Sequence, residues 1–333
     1  MSKEGYILLL DPALQDNNGT PSDNIGDVII FEAIHSILTK LFPQSEIIRV
    51  SLHQDLKRKE KDLVKNARYA FVGGSNILTS DIRNFPRLTP VKTKGFYFYP
   101  GFKNVIYMGA GWCAYQKKID WATRIYYRNI MHKNIYHSIR DDYSLHMLNE
   151  IGCRNTLFTS CPSTWELKTA YKNIFQHELN KVLLMFTYYY ADRESDNEVI
   201  EIILETGTAE IFFFPQCRED TAYLKSLPSY KDNSAKFRIM SHSLEELHQL
   251  VSSVKLNYIG TRLHGGIKCM SLENPAAVIA VDNRATELGK SINLNAVKRK
   301  ELKGLRKWVN GDLQPGPVVL PTENIKKWQD QFK

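Results

Sequence analysis

Short apolar runs rich in β-branched and aromatic residues alternate with amphipathic segments along almost the whole chain of 333 residues. This alternation is typical of parallel sheets with helices on both faces. Strands are predicted at 6–10, 46–50, 69–72, 104–109, 136–139 and 156–159, and then at 181–187, 209–215, 236–239, 256–260 and 276–281. Helices are predicted between them, at 26–41, 56–66, 120–131, 141–151, 194–205, 244–253, 265–272 and 285–292.

The length of the chain favours two such sheets over one, because each half can bury its own core. We therefore predict an α/β protein of two Rossmann-like domains, at 1–165 and 178–305, with parallel sheets facing a central cleft. A tail at 306–333 is rich in proline and glycine before a short helix that contains Trp328. This helix could cross back onto the first domain.

The composition is that of a soluble globular protein, with 43% hydrophobic and 24% charged residues. No apolar run approaches the roughly 20 residues that span a bilayer, and the early strand at 6–10 argues against a signal peptide. We therefore expect a cytoplasmic protein. The five cysteines are scattered and lack C-x-x-C spacing, which argues against a disulfide framework and a structural zinc site.

The net charge of +8 indicates an acidic partner, such as a phosphorylated substrate, nucleic acid or an anionic membrane surface. A basic run at 298–307 has two interpretations. Solvated surface is favoured, and peripheral contact with lipid headgroups at the inner face of the cell membrane is the alternative.

The junction after the predicted strand 256–260 combines a permanent charge with a titratable group. It reads Thr261-Arg262-Leu263-His264-Gly265-Gly266. In open α/β sheets, ligands bind at the carboxyl ends of strands, where the next helix presents unpaired amides. Arg262 offers a planar fork for phosphate or carboxylate, and His264 can release a proton near neutral pH. The junction predicts an anion site with an acid beside it, which the glycines allow a ligand to approach closely.

A hydrogen-bonding motif lies at the start of the first predicted helix. It consists of Asn24, Gly26 and Asp27, and it follows a polar loop. Such residues can bind a sugar or phosphate at a helix N-terminus, or they can simply cap the helix. From this motif alone the two interpretations carry equal weight.

Two other strand ends hold candidate binding residues. Gly73 and Gly74 follow the strand at 69–72, where adjacent glycines suit either a passing ligand or a tight turn. Arg140 follows the strand at 136–139, and taken alone it is better explained by a surface ion pair with a following aspartate. The sequence has neither a dinucleotide fingerprint nor a Walker lysine, which disfavours nicotinamide cofactors and P-loop ATP chemistry.

Taken in order, these motifs resemble the polysaccharide pyruvyl transferase family over nearly the whole chain. The motifs are N-x-G-D from Asn24, the Gly73-Gly74 strand end, S-x-R-D around Arg140 and T-R-L-H-G at 261–265. The resemblance implies a GT-B-like fold of two Rossmann-type domains. It also implies transfer of the enolpyruvyl unit of phosphoenolpyruvate onto sugar hydroxyls as a pyruvate ketal, in the biosynthesis of a surface polysaccharide such as a capsule.

The resemblance also assigns roles by position. It implies that Arg140 and Arg262 bind the carboxylate and phosphate of phosphoenolpyruvate and that His264 is the catalytic acid. Leu263 and Gly265 belong to the same substrate-binding motif as Arg262. The implied donor is phosphoenolpyruvate itself, with no separate cofactor and no metal.

The chain departs from the family pattern at two loops. Ser75 stands where many members carry a third glycine, and Asn274 precedes a proline where glycine is common. These departures affect the expected shape of the loops more than the implied chemistry.

Two other functions compete with pyruvyl transfer. The runner-up is a GT-B glycosyltransferase that uses a nucleotide sugar, with Glu287 as the candidate carboxylate for the ribose. A non-enzymatic module that binds nucleic acid or lipid ranks last, because the candidate arginines lie at separate strand ends rather than in a stripe with stacking aromatics. We therefore expect phosphoenolpyruvate and a sugar acceptor as partners, and no nucleic acid. The acceptor could be a lipid-linked oligosaccharide, with the loops at 188–193 and 216–220 lining its site.

Overall fold

The computed structural model describes residues 5–84, 105–168 and 173–333. The described strands are β1 (Ile7–Asp11), β2 (Ile47–Ser51), β3 (Tyr69–Gly73), β4 (Val105–Ala110), β5 (His137–Ile139), β6 (Thr156–Phe158), β7 (Lys181–Met185), β8 (Glu210–Phe213), β9 (Phe237–Ile239), β10 (Asn257–Gly260), β11 (Ala276–Ala280) and β12 (Ala296–Lys298). The described helices are α1 (Ile25–Leu41), α2 (Arg58–Asn66), α3 (Trp121–Ile130), α4 (Asp142–Ile151), α5 (Arg193–Glu205), α6 (Glu219–Ser226), α7 (Pro228–Asp232), α8 (Leu244–Ser253), α9 (Leu263–Ser271), α10 (Asn283–Ile292), α11 (Lys303–Val309) and α12 (Thr322–Asp330).

These residues divide into two compact units. The first unit consists of Met1–Ser22, Asp27–Trp165 and Leu320–Lys333, and the second of Asp23–Gly26 and Glu166–Val319. Each unit contains one parallel six-stranded sheet.

The sheet of the first unit has the strand order β2-β1-β3-β4-β5-β6. Its inner strands are buried on both faces, which is why β1 reads in the sequence as a continuous apolar run rather than an alternating one. In register, Leu8 of β1 lies between Ile48 of β2 and Ala70 of β3. The chain therefore moves from β1 to one neighbour and then back to the other side.

Helix α12 at the end of the chain completes the core of the first unit. Its Trp328 is fully buried, and its ring lies 6.0 Å from Phe71 and 5.6 Å from Trp165, centroid to centroid. Phe332 follows the same helix and packs edge-on against Phe71 and Trp328. The last segment of the chain is thus a structural part of the first unit.

The sheet of the second unit has the strand order β12-β11-β10-β7-β8-β9. The chain builds outward from β7 through β8 to β9, and then starts again on the other side of β7 with β10. This is the doubly wound Rossmann order, in which ligands bind outside the carboxyl ends of the two strands where the direction reverses. That switch point lies between β7 and β10.

Both sheets confirm the predicted α/β class with two Rossmann-type domains. The expected strands and helices are present, with ends shifted by a few residues, although Asn104 of the first-half strand 104–109 lies outside the described residues. The sequence interpretation missed β12, which has only two apolar residues, and it missed the short helices α6, α7 and α11. Among the described helices, none is both long and apolar enough to cross a membrane.

Candidate functional site

The switch point of the second sheet is closed by hydrogen bonds between the ends of β7 and β10. Thr261 donates its backbone N–H to the carbonyl of Met185 at 2.9 Å. Its hydroxyl lies 2.9 Å from the hydroxyl of Thr187. The residue that follows, Arg262, therefore starts from a fixed backbone position.

Arg262 is 2% exposed, and its guanidinium is held by three protein groups. Nε donates to the carbonyl of Phe186 at 3.1 Å, and Nη1 donates to the Tyr189 hydroxyl at 3.0 Å. Nη2 lies 2.6 Å from both carboxylate oxygens of Asp220. Burial alone would lower the pKa of Arg262, but the combined interactions with Asp220, Tyr189 and Cys217 outweigh it and raise that pKa. Arg262 therefore keeps its charge in a buried place.

Asp220 is as fully bonded as the arginine that it pairs with. Its two oxygens also accept backbone N–H groups, from Tyr188 at 3.0 Å and from Cys217 at 2.9 Å. Asp220 lies in the first turn of α6, after the loop that follows β8. The ion pair therefore ties the loops after β7, β8 and β10 to one another.

The start of α9 differs from those of the helices that begin with a capping aspartate. Asp141 and Asp192, for example, cap α4 and α5 by accepting a backbone N–H with their side chains. At α9 the N-cap residue is Arg262, which makes no such bond. The positive end of the helix and its first amides are therefore not covered by a capping carboxylate, which suits an anionic ligand.

His264 lies in this first turn, as the second residue of α9, and is 5% exposed. Leu263 before it is equally buried. Arg262, His264 and the start of α9 thus lie at the switch point, within three residues of sequence.

The glycines of this junction have a packing role that the sequence interpretation did not foresee. A Cβ on Gly265 would lie 2.4 Å from Sδ of Met185, and one on Gly266 would lie 2.7 Å from Val278. A Cβ on Gly260 would lie 2.4 Å from the carbonyl oxygen of Met185. Close packing of α9 on the sheet explains these glycines, while their predicted contact with a ligand stays a prediction.

Asn24 and Gly26 lie against a loop of the second unit. The side-chain oxygen of Asn24 accepts from the N–H of Gly26 at 3.1 Å and from Nε2 of Gln216 at 2.8 Å. A Cβ on Gly26 would lie 2.6 Å from that same Nε2. Gln216 is 4% exposed, and its Oε1 has no hydrogen-bond partner among the described residues. The motif therefore both caps α1 and positions a buried amide with a free acceptor.

In the first unit, Gly73 is the last residue of β3 and Gly74 begins the turn that follows. Gly74 has a φ of +60°, and its N–H bonds the carbonyl of Met108 at 2.8 Å. Ser75 follows with a φ of +71°, a conformation that glycine adopts more easily. A glycine is thus expected at this position on backbone grounds, and the serine there holds the same turn under strain.

Arg140 follows β5 and is also 2% exposed. Its guanidinium covers Gly111, where an added Cβ would lie 2.0 Å from Nη2. Nε lies 3.1 Å from Asp141, which also caps α4 through Ser144. Nη2 is buried and has no hydrogen-bond partner in the described part of the chain. The favoured interpretation of Arg140 was a surface ion pair with a following aspartate. The contact with an aspartate is present, but the arginine is buried rather than exposed.

A family model for polysaccharide pyruvyl transferases matches residues 24–283, which is most of the chain. The chain belongs to this family. The predicted membership is confirmed, and the protein is accordingly a transferase that acts on polysaccharide.

Solved structures similar to this transferase are glycosyltransferases. One is WaaG, a glycosyltransferase involved in lipopolysaccharide biosynthesis, with a TM-score of 0.44, 9% identity, and coverage of 98% of this chain and 94% of that chain. Another is the E. coli heptosyltransferase WaaC with ADP-2-deoxy-2-fluoro heptose, with a TM-score of 0.39, 11% identity, and coverage of 92% and 99%. At this level the similarity carries no argument about function. A search of curated proteins returned no match.

The predicted site residues of this transferase fall into two groups. Asn24, Gly26, Arg262, Leu263, His264 and Gly265 belong to the second unit, and Asp27, Gly73, Gly74 and Arg140 to the first. Asp27 lies in the first turn of α1, where Oδ2 accepts from the hydroxyl of Ser22 at 3.2 Å.

Two residues were not identified from the sequence as partners of Arg262. Asp220 and Tyr189 lie in loops that were predicted to line an acceptor site, yet both hold Arg262. A buried arginine at a strand end requires a carboxylate, but 42 residues separate the two partners, so local sequence patterns do not identify which acid it is.

The basic run at 298–307 carries less free charge than its sequence indicates. Arg299 pairs with the buried Asp196, Lys300 with Asp192, and Arg306 with acids of α5. Contact of this run with a membrane stays a prediction, with much of its expected charge neutralised.

Glu287, the candidate ribose carboxylate of the runner-up hypothesis, is 5% exposed and pairs with Lys290 at 2.7 Å. No group of three potential metal ligands is found in the described ranges.

Proposed function

We propose that this transferase moves the enolpyruvyl unit of phosphoenolpyruvate onto a sugar hydroxyl of a polysaccharide or its lipid-linked precursor and closes it as a pyruvate ketal. The observation that carries the proposal is a charged, buried Arg262 beside His264 at the switch point of the second sheet. This is the place in a doubly wound sheet where a small anion binds.

Phosphoenolpyruvate carries a phosphate and a carboxylate on one small enol ether. The uncapped start of α9 can accept one of these groups on its backbone amides, while the guanidinium of Arg262 provides fixed positive charge. Since two of its nitrogens are fixed by Phe186 and Asp220, the guanidinium can bind the anion without first losing side-chain freedom.

His264 is the proposed acid. Protonation of the methylene carbon, C3, makes C2 a cationic centre that a sugar hydroxyl can attack. The C2–O bond to phosphate then breaks, and a second hydroxyl of the same sugar bonds to C2 and closes the ketal. One hydroxyl proton restores the acid, and the other leaves with inorganic phosphate. The negative charge of bound phosphoenolpyruvate favours the imidazolium form that the first step needs.

Arg140 is proposed as a further substrate-binding residue. Its Nη2 is buried without a partner in the described ranges, and such an atom is costly unless a ligand satisfies it. The free Oε1 of Gln216 supports a similar role toward a hydroxyl of the sugar acceptor, because a hydroxyl is a donor that it can accept from.

Calorimetric titration with phosphoenolpyruvate and, separately, with UDP tests this proposal. We expect saturable binding of phosphoenolpyruvate alone. Arg262→Lys should weaken it by about tenfold or more, because an ammonium cannot keep the bonds to Phe186, Tyr189 and Asp220 that hold the positive charge at the start of α9. Arg238→Lys is the matched control, since Arg238 is an exposed arginine on the edge strand β9, and it should leave binding unchanged.

His264→Asn separates binding from chemistry. This variant should bind phosphoenolpyruvate within a few-fold of the parent, yet release no phosphate when glycan acceptors are screened. Binding of UDP without binding of phosphoenolpyruvate would refute the proposal and favour a glycosyltransferase.

A further inference from the structure

The first unit has a basic cavity at the amino ends of β5 and β6, on the opposite edge of its sheet from Arg140. Its volume is about 370 Å³. Its polar lining includes Arg128, His132, Lys133, His137, Arg154 and Asn155. Cavities of this size bind small molecules in other proteins, where volumes of roughly 300–1,000 Å³ are usual.

The lining of the basic cavity carries positive charge without a counter-charge. Arg128, Lys133 and Arg154 are all exposed to it, and the lining includes no aspartate or glutamate. Among the described residues, none of these three side chains forms an ion pair with a carboxylate. Three like charges around one concave surface raise the local potential and concentrate anions there.

Arg128 is held in place by the main chain. Its Nε donates to the carbonyl of Ile151 at 2.6 Å. Its guanidinium then passes over Gly152, where an added Cβ would lie 2.9 Å from Nη2. Gly152 has a φ of +94° and ends α4, so glycine is required there for two reasons. The guanidinium is thus oriented before any ligand arrives.

The buried histidine of the cavity does not add to its charge. Nδ1 of His137 accepts the backbone N–H of Tyr107 at 3.1 Å, and Nε2 lies 3.0 Å from the carbonyl of His132. This pairing fits the neutral ring with its proton on Nε2. Burial lowers the pKa of His137 to about 4, so the ring stays neutral at pH 7. The arginines and the lysine alone set the charge of the cavity.

We propose that the basic cavity is a binding site for a small molecule that carries a diphosphate group, with Arg128 as its main anchor. A planar guanidinium pairs with two phosphate oxygens at once, and the lysine and second arginine supply point charges on either side. The three positive charges match the charge of a diphosphate, and the volume leaves room for the group attached to it. This site is independent of the pyruvyl-transfer site.

Calorimetric titration of the full chain with inorganic pyrophosphate tests the proposal. We expect one saturable site that Arg128→Gln weakens by about tenfold, the usual effect of losing a charge-assisted hydrogen bond. Lys133→Gln should weaken binding by a few-fold. It is the variant of choice if Arg128→Gln unfolds, because Lys133 is exposed and its side chain has no structural partner among the described residues.

Arg124→Gln is the matched control. Arg124 lies one turn earlier on α3, makes the same kind of bond to a carbonyl, that of Glu150, and does not line the cavity. It should change the affinity for pyrophosphate less than twofold. Equal weakening by Arg124→Gln would reduce the effect to net charge and overturn the proposal. The absence of saturable binding would do the same, as would binding that only Arg262→Lys weakens.

Discussion

Arg140 and Arg262 are two equally buried arginines that the protein treats in different ways. Both are 2% exposed, both follow the end of a parallel strand, and both contact an aspartate. Arg262 faces both oxygens of Asp220 and has protein partners at all three of its nitrogens. Arg140 contacts Asp141 through Nε alone, and its Nη2 has no partner in the described part of the chain.

The difference is that every guanidinium nitrogen of Arg262 has a protein partner, whereas Nη2 of Arg140 has none among the described residues. Arg262 holds three loops together whether or not a ligand is present. Its bonds therefore already contribute to the stability of the folded second unit. Arg140 leaves a buried donor without a partner among the described residues, and a bound ligand that accepts from it would offset that loss. Removal of the aspartate should therefore affect the stability of the second unit more than that of the first.

Asp220→Asn should produce the largest effect. It leaves the charge of Arg262 buried without its counter-charge, and breaking such a pair destabilises by about 3–5 kcal/mol. The same substitution at Asp141 should lower the free energy of unfolding by less, about 1–3 kcal/mol, because Arg140 makes a single Nε contact there and asparagine still caps α4. Urea unfolding of both variants measures the comparison.

Equal losses for the two variants would contradict this account, since they would mean that the single Nε contact stabilises Arg140 as much as the two-oxygen contact stabilises Arg262. Asp142→Asn, next to Asp141 and exposed in the first turn of α4, controls for loss of negative charge at the helix start.

The comparison extends to groups whose charge changes with pH. The Arg262–Asp220 pair is buried in its charged form. His137 in the first unit is buried in its neutral form, because burial lowers its pKa from 6.5 to about 4. A lowered pKa means that the unfolded chain takes up the proton first. The stability that His137 supports is therefore complete above pH 6.5 and falls by about 3 kcal/mol as the pH drops to 4.

His137→Gln should flatten this dependence between pH 6.5 and 4, even if it lowers stability at pH 7. His146→Gln is the matched control, because His146 is a solvent-exposed histidine of the same unit. The midpoints of urea unfolding of both variants, measured across this pH range, test the prediction. An unchanged pH slope in His137→Gln would show that other groups cause the acid sensitivity.

Local sequence patterns predicted the elements of the fold better than they predicted the site. The apolar runs marked β1, β7 and β10 because fully buried parallel strands have no polar face. That β10 lies beside β7, and so makes Arg262 a switch-point residue, depends on the order in which strands assemble. No local pattern encodes that order.

The glycines and the ion pairs show the same limit. A strand-end glycine serves a ligand or a close helix equally well, and only the 2.4 Å approach of Met185 to a Cβ at Gly265 gives the packing reason. The pairing of Arg262 with Asp220 likewise joins residues far apart in sequence, so the candidate arginine was predictable and its partner was not.

The smallest expected effect, and the sharpest test of the comparison, comes from Tyr189→Phe. This change removes the hydroxyl that accepts from Nη1 of Arg262 and keeps the ring, whose centroid lies 4.9 Å from the guanidinium carbon. Arg262 then has one nitrogen without a protein partner, as Arg140 does. Because Tyr189 is 45% exposed, water can replace the hydroxyl, and we expect a stability loss below about 1 kcal/mol.

The affinity of the Tyr189→Phe variant for phosphoenolpyruvate should fall by about two- to fivefold, because the guanidinium loses one of the bonds that orient it. Tyr188→Phe is the control, since its ring packs 5.2 Å from Tyr189 and its hydroxyl forms no hydrogen bond with Arg262 among the described residues. Tighter binding by Tyr189→Phe would instead mean that the hydroxyl competes with substrate for Nη1. Arg262 would then have a nitrogen that bonds the substrate in place of a protein group, which is the role proposed for Nη2 of Arg140.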